Sequence, residues 1–443
     1  MPSILPGIRA TLARFRPTRG AASRSHRDFH PDCQFLEGRQ MLSVTIQPTD
    51  AVAGQVLAAG ASAPRPSSPS PSQIQTAAAR GQARREAYLA TVQRVLAEFH
   101  APGAVAGVWV PGQRPWVTAQ GVANVETGQS ISIDDRFPIR SITKSFTVTR
   151  ILQLARERRL SLNDPISDYV EGIPNGDQIT LAQLAGMNSG VKNYTQAPRF
   201  IEQFAGDFTR PWTPREIVDT TIPDSPVFAP GTQYNYSNTN TILLGMVVEQ
   251  VTARPIAATF QTRILNPLRM KDTSYPNDAS IPSPHPTPYL VDPATGDLEE
   301  APAVNLSSLG AAGGLVSSIQ DLRRWGVALG TGRLVGPRLH RLSERLTRPA
   351  TDGPEYDRYG LGIGELKGWW GHSGEALGFQ AAVFYQPRTR AVIAVALNSS
   401  QSTHVAVEIF KALADKVGGR FRAAERRSDP SRYRFPNPCT QGR

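Results

Sequence analysis

The sequence predicts an α+β body whose sheet joins distant ends of the chain. Three observations carry this reading. Short apolar runs come early, at 104–110 and 116–122, and again late, at 381–385 and 391–397. Each pair is broken by turn residues, Pro111-Gly112 in the first and Gln386-Pro387-Arg388-Thr389 in the second, as β-hairpins are. Helical periodicity fills the long interval between them. Strands first, helices in the middle and strands last place distant ends of the chain in one sheet.

Taken in order, residues 84–99 have helical spacing, with Tyr88, Val92, Val95, Leu96 and Phe99 on one stripe. The paired strands 104–110 and 116–122 follow. A helix is expected to start near Ser141 and run to about Arg159, apolar on its inner side. Buried helices are expected at 242–251 and 321–329. The late hairpin comes next, and residues 404–417 form a closing amphipathic helix. The folded domain is expected over 83–418. Residues 1–82 read as a basic, Pro/Ser-rich export or linker segment without a core, and 419–443 as a basic disordered tail.

The chain has 443 residues and a formal net charge of +11. That charge is unevenly placed: +7 in residues 1–85, +5 in 419–443 and −1 in the body between them. A nucleic-acid-binding domain carries its basic face on its folded part, so nucleic acid is disfavoured as a partner. No run of about 18 apolar residues predicts a membrane-spanning helix. Two cysteines, Cys33 and Cys439, are too few for a disulfide scaffold or a four-cysteine zinc site. His26, His30 and Cys33 lie at helical spacing near the start, a pattern that is more often coincidence than a metal site. No metal or cofactor is expected. The first 40 residues are Arg-rich and acid-poor, as organellar transit peptides are. Against that, Phe35-Leu36-Glu37-Gly38-Arg39-Gln40-Met41-Leu42-Ser43 resembles a Leu-Glu-x-Arg-x-x-Leu-Ser segment found early in exported proteins of some bacteria, departing from it at Gly38. An exported protein (periplasmic, cell-surface or extracellular) is the expectation, with an organellar destination as the alternative.

Three short motifs could carry chemistry. In Ser141-Ile142-Thr143-Lys144, residues i and i+3 share a helix face. A lysine buried there loses its proton readily and can take one from the serine. Alone, the motif describes an ordinary helix-start serine with a surface lysine. Tyr236-Ser237-Asn238 follows the turn at Pro230-Gly231 and offers a phenol for proton relay and a carboxamide for orientation. Alone, it reads as a packed tyrosine and an N-cap asparagine. Gly371-His372-Ser373-Gly374 precedes the late hairpin and should lie on a strand, where Ser373 and Gly374 let a substrate backbone approach. Alone, it is a strand-edge turn. No Gly-x-Ser-x-Gly elbow is present, which disfavours an α/β-hydrolase.

Together and in this order, the three motifs resemble the Ser-x-x-Lys, Tyr-x-Asn and Lys/His-x-Gly elements of the serine β-lactamase and penicillin-recognising family, in particular its branch of class C β-lactamases, D-alanyl-D-alanine carboxypeptidases and related esterases. The flanks Phe137–Ser141, Leu160–Pro165, Ile179-Thr180, Leu184–Gly190, Pro267–Met270, Ala312–Leu315 and Asn398 resemble it too. The likeness spans roughly 84–418. It departs from the family in lacking a His after Leu184, and in having His372 where β-lactamases carry a lysine. The resemblance implies the β-lactamase/penicillin-binding transpeptidase-like fold, an antiparallel sheet flanked by helices plus a mostly helical region, and a serine hydrolase that works through an acyl-enzyme. Its substrate would be a small molecule or peptide, cell-wall peptide among them. A D-alanyl or D-amino-acid peptide comes first, an ester second and a β-lactam third, with a non-catalytic penicillin-binding scaffold as the rival. It further implies Ser141 as nucleophile, Lys144 as its activating partner and Tyr236 as proton relay. Asn238 would orient Lys144 and the substrate amide, His372 would raise the positive potential near Tyr236, and Ser373 would bind a substrate carboxylate or amide. Gly374 would allow close approach, and the backbone N–H groups of Ser141 and Glu375 would form the oxyanion hole. Which group is the base stays open, as does the oligomeric state.

Overall fold

The structure, a computed structural model, describes residues 70–418. The Arg-rich start with Phe35–Ser43, the His26, His30 and Cys33 group, the linker up to residue 69, and the tail from Gly419 with Cys439 lie outside the described residues.

Helix α1 spans Pro71–Glu98, so it begins ahead of the expected boundary near Ala83. The Ala- and Gln-rich stretch from Gln73 to Gln82 favours helix without needing a partner. Among its described side chains the first that is buried is Tyr88, as the periodicity indicated. Strands β1 (Gly103–Trp109) and β2 (Trp116–Gly121) pair antiparallel. The helix expected from Ser141 opens as a 3-10 turn, Arg140–Ile142, and becomes α-helical as α2 over Thr143–Arg156. It stops short of Arg159 because the chain turns left-handed at Arg158. Helix α3 (Asn238–Thr252) starts four residues before the expected Ile242, and α4 spans Ile319–Gly330. Then come the short strands β3 (Arg348–Pro349), β4 (Arg358–Tyr359) and β5 (Gly364–Leu366). The longer β6 (Trp369–Ala376), β7 (Phe379–Gln386) and β8 (Ala391–Leu397) complete the sheet, and α5 (Val405–Val417) closes the chain.

The eight strands form one antiparallel sheet in the order β2-β1-β8-β7-β6-β5-β4-β3. Ala104 pairs with Leu397, so the early hairpin joins the late one, as expected from the order of strands and helices. Successive strand side chains point to opposite faces, and the core obeys that period. Ala104, Ala106 and Val108 with Ile393, Val395 and Leu397 pack against α1 and α5. Val105, Val392, Ala394 and Ala396 belong to the larger core that contains α4 and the helical region. In that region α2 and α3 pack side by side, with Phe146 stacked on Trp325 of α4 at 3.6 Å. The fold is the β-lactamase/penicillin-binding type, α+β, with its sheet between helices. No single helix among the described residues is long and apolar enough to cross a membrane.

The fold fixes three things at the junction of sheet and helical region: the N-terminus of α2, the start of α3 and the middle of β6. These are the places where the three sequence motifs fall.

Candidate active site

Ser141 lies in the 3-10 turn that leads into α2, and Lys144 lies one turn later on the same face. The Lys144 Nζ donates to Ser141 Oγ at 2.9 Å and to the Ala312 carbonyl at 2.9 Å. Lys144 is fully buried, and among the described residues it makes no ion pair. Burial disfavours the ammonium and pulls its pKa well below the ordinary lysine value. The segment that carries Ala312 is tied down independently. Thr147 Oγ1 donates to the Ala311 carbonyl at 2.7 Å, and the Leu315 N–H donates to Thr143 Oγ1 at 3.1 Å. Two threonines of α2 therefore position the carbonyl that holds the lysine.

Tyr236 is buried at the end of the loop before α3, with the Lys144 Nζ 5.1 Å from its ring centre. Burial drives its phenol pKa well above the usual value, and the neighbouring Tyr356 pushes it the same way. The Ser141 side chain is close enough to oppose that rise, yet the Tyr236 hydroxyl makes no hydrogen bond of normal geometry. It is a phenol at neutral pH and has no hydrogen-bond partner among the described residues. Helix α3 has Ser237 in the cap position, so Asn238 is its first residue and not its cap.

Asn238 does not hold Lys144. Its Nδ2 donates to Asn193 Oδ1 at 3.1 Å and to Thr195 Oγ1 at 3.3 Å, while the lysine's second bond goes to Ala312. The 3-10 turn Tyr194–Gln196 packs onto the start of α3 and draws the carboxamide away from the lysine. Asn238 still lines the cleft beside Ser141.

His372 corrects the sequence reading more sharply. It is fully buried, and burial pulls its pKa down to about 3. A neutral imidazole does not raise the positive potential near Tyr236. Its ring is used in packing: Nδ1 lies 2.6 Å from the Ser373 carbonyl and 3.1 Å from Tyr356 Oη, and Nε2 lies 3.0 Å from Tyr359 Oη. With the proton on Nδ1, that atom donates to the carbonyl and Nε2 accepts from Tyr359, which assigns the tautomer from its neighbours. Tyr356 Oη in turn accepts the Ser373 N–H at 2.8 Å and lies 3.1 Å from Ser373 Oγ. Tyr359 meets Tyr236 edge-on at 5.9 Å. Thus β4, β6 and the loop before α3 are joined by three tyrosines around one uncharged histidine. Tyr356, Tyr359 and the Ala312 carbonyl are the site residues the motifs did not name. A Tyr-x-x-Tyr pair just ahead of the His-x-Gly strand was the available signal for the first two.

Gly374 has the role expected of it. A Cβ there would fall 2.6 Å from the Ser141 nitrogen and closer still to the Ile139 carbonyl, so only glycine lets β6 lie against the nucleophile's turn. That contact brings the backbone at Glu375 beside Ser141. The Glu375 carboxyl accepts from Gln380 Nε2 at 2.9 Å, and burial holds its pKa up at about 7.

Two cavities meet at Ser141. One is an open cleft of about 860 Å³ with Asn238, Phe200, Phe204 and Leu309 among its walls. The other, on the Ser373 side, includes Gly353, which packs against Tyr236. A buried, readily deprotonated lysine on a serine, a free phenol opposite and a cleft on either side can perform acyl transfer without a metal.

The beta-lactamase family model matches residues 90–417. The chain belongs to the beta-lactamase family. Within this family of serine hydrolases, it is similar to a D-stereospecific amidohydrolase from Streptomyces sp., at 30% identity and a TM-score of 0.66, over 74% of this chain and 98% of that one. A D-amino acid amidase from Ochrobactrum anthropi SV3 shares the fold, at 23% identity and a TM-score of 0.68, over 75% and 98% of the two chains. Among curated proteins it is similar to a D-aminopeptidase of Cereibacter sphaeroides, at 26% identity over 71% of this chain and 60% of that one. It also matches the protein flp of Staphylococcus aureus, at 27% identity over 53% of this chain; the match covers 46% of that protein's length.

Proposed function

We propose that this protein hydrolyses D-aminoacyl amide or peptide bonds through an acyl-enzyme on Ser141, with cell-wall-type peptides among its substrates. The observation that carries the reaction type is the 2.9 Å hydrogen bond between Ser141 and a fully buried Lys144. The D-aminoacyl preference is supported by the likeness to the Streptomyces amidohydrolase, which this chain covers almost entirely.

The opposite pKa directions at Lys144 and Tyr236 favour Lys144 as the base. Lys144 is favoured neutral and Tyr236 protonated, so Lys144 takes the Ser141 proton as Oγ attacks the substrate carbonyl carbon. The oxyanion forms between the backbone N–H groups of Ser141 and Glu375. Such donors are worth about 3–4 kcal/mol in the transition state. Tyr236 gives its proton to the departing amine, and Lys144 returns one to Tyr236. Water then enters and attacks the acyl carbon as it loses a proton to the same pair; the bond to Ser141 Oγ breaks, the pair returns the proton to Oγ and the acid departs. Ser373 and Asn238 hold the substrate backbone on either side. Because His372 is neutral and turned into packing, the site lacks the strand cation that a β-lactam carboxylate would use, which ranks antibiotic hydrolysis below amide hydrolysis.

The test is intact-protein mass spectrometry and turnover with D-alanyl and L-alanyl p-nitroanilide, p-nitrophenyl acetate and a penicillin. Faster release from the D-alanyl substrate with an adduct on Ser141 is expected. Rapid ester turnover with no D-aminoacyl amide hydrolysis would move the reading to an esterase. No acylation by any of them would leave a non-catalytic scaffold.

A further inference from the structure

Arg140 stands immediately before the nucleophile and is conformationally costly twice over. Its φ of 52° is left-handed, a region that residues with a Cβ adopt sparingly. That turn sends its side chain inward, where the residue is only 3% exposed. The guanidinium has five donors to satisfy. Nη2 donates to the Leu377 carbonyl at a long 3.3 Å, and the group sits 5.5 Å from the centre of the Phe379 ring. Nε and Nη1 have no partner. Among the described residues Arg140 makes no ion pair. Burial lowers its pKa only to about 9, so it stays charged at neutral pH. A buried, unpaired charge is among the least favourable features a fold can hold.

Arg140 lines the cleft at Ser141, and so does Gln401, 5% exposed, whose Oε1 also lacks a partner. Two buried, unsatisfied polar groups thus line a cleft that Phe200, Phe204 and Leu309 also line. The carboxyl lining the same cleft, Glu375, is engaged with Gln380 and does not reach Arg140 as an ion pair. This cleft is the one bounded by Asn238, whereas the other cavity is lined by Gly353, the residue that packs against Tyr236. If Tyr236 protonates the leaving group, the Arg140 cleft takes the acyl part.

We propose that Arg140, assisted by Gln401, is a specificity-determining subsite for a carboxylate carried on the acyl part of the substrate. Arg presents a planar fork that matches a carboxylate with two N–H donors. A half-turn of the Gln401 amide adds a third donor. The ligand class is an acidic acyl group, such as a D-glutamyl residue, whose apolar stem lies along the phenylalanine wall. The acyl-side assignment rests on the acyl-enzyme reading above.

The test compares D-glutamyl and D-glutaminyl p-nitroanilide, which differ only in carboxylate against carboxamide. The full chain should favour the D-glutamyl substrate in kcat/KM by roughly 10- to 100-fold, the range of a charge-assisted hydrogen bond. Arg140→Gln should collapse or invert that ratio. Equal rates in the unaltered protein would overturn the proposal, as would a ratio that Arg140→Gln leaves intact. A second measurement needs neither turnover nor the variant: protection of Ser141 from a fluorophosphonate by glutarate against glutaramide. Stronger protection by glutarate supports the subsite even if no p-nitroanilide is cleaved, which would count against the D-aminoacyl reading alone. Equal protection would mean that only water occupies this wall, and the proposal would fall.

Discussion

Acidifying the protein should titrate its unfolded state and leave His372 untouched. In the unfolded chain this imidazole has its ordinary pKa of 6.5, and in the fold it is held at about 3. Between these values the unfolded state binds the proton and the native state does not, so stability falls as pH falls through that window. At pH 5 the group lies 1.5 units below its unfolded value. At about 1.4 kcal/mol per unit, that is about 2 kcal/mol relative to neutral pH. His404 is also depressed, to about 4, and adds in the same direction, while Glu375, raised to about 7, acts in the opposite one because its native form binds the extra proton. His372→Asn removes one contribution and leaves the others, so the difference between the proteins isolates it. Denaturant midpoints at pH 7.5 and pH 5 are the assay, and the unaltered protein should lose about 2 kcal/mol more than the variant. Should the variant fold poorly, the imidazole signals of the native protein report directly: those of His372 should not shift between pH 8 and pH 5. A titration near pH 6.5 or higher would refute the reasoning and restore the cationic role read from the sequence.

Three further outcomes follow from the site. Lys144→Met should lower the acylation rate by roughly 10²- to 10⁴-fold, the usual worth of a positioned base; in the unaltered protein, activity should be lost as pH falls through the depressed lysine pKa, as a pH–rate profile would show. Gly374→Ala should push β6 away from the Ser141 nitrogen and lower kcat by roughly 10²-fold or more, with circular dichroism little changed, because it disturbs the oxyanion donors and not the core. Tyr359→Phe removes the hydroxyl bonded to His372 Nε2 and leaves a buried acceptor unsatisfied, which should cost about 1–3 kcal/mol in a thermal or denaturant midpoint.

Much of the molecule was legible in one dimension. The apolar runs of β1 and β8 and the stripe of Tyr88, Val92 and Val95 are local patterns, and each element formed where its pattern lay. Ser141 and Lys144 lie on one helical turn, so their hydrogen bond follows from helix geometry alone. The errors were at edges and in environments. The helix at Pro71 starts early because helix formers outside the core still favour helix. The partner of Lys144 proved to be the Ala312 carbonyl and not Asn238, because a backbone oxygen from 168 residues away leaves no mark on the identity of its residue.

The sequence by itself therefore determined which residue types are present, their spacing and the elements that carry them. Only the tertiary structure decided their states of charge. His372 reads as a cation in the chain and loses that character because packing strips its water and supplies no carboxylate in return; Lys144 has the lowered pKa its motif calls for only because the fold buries it in the same way. Arg140, an ordinary residue in the sequence, keeps its charge at neutral pH under the same burial because its intrinsic pKa is so much higher. Desolvation depends on everything that surrounds a group, and those surroundings come from all parts of the chain.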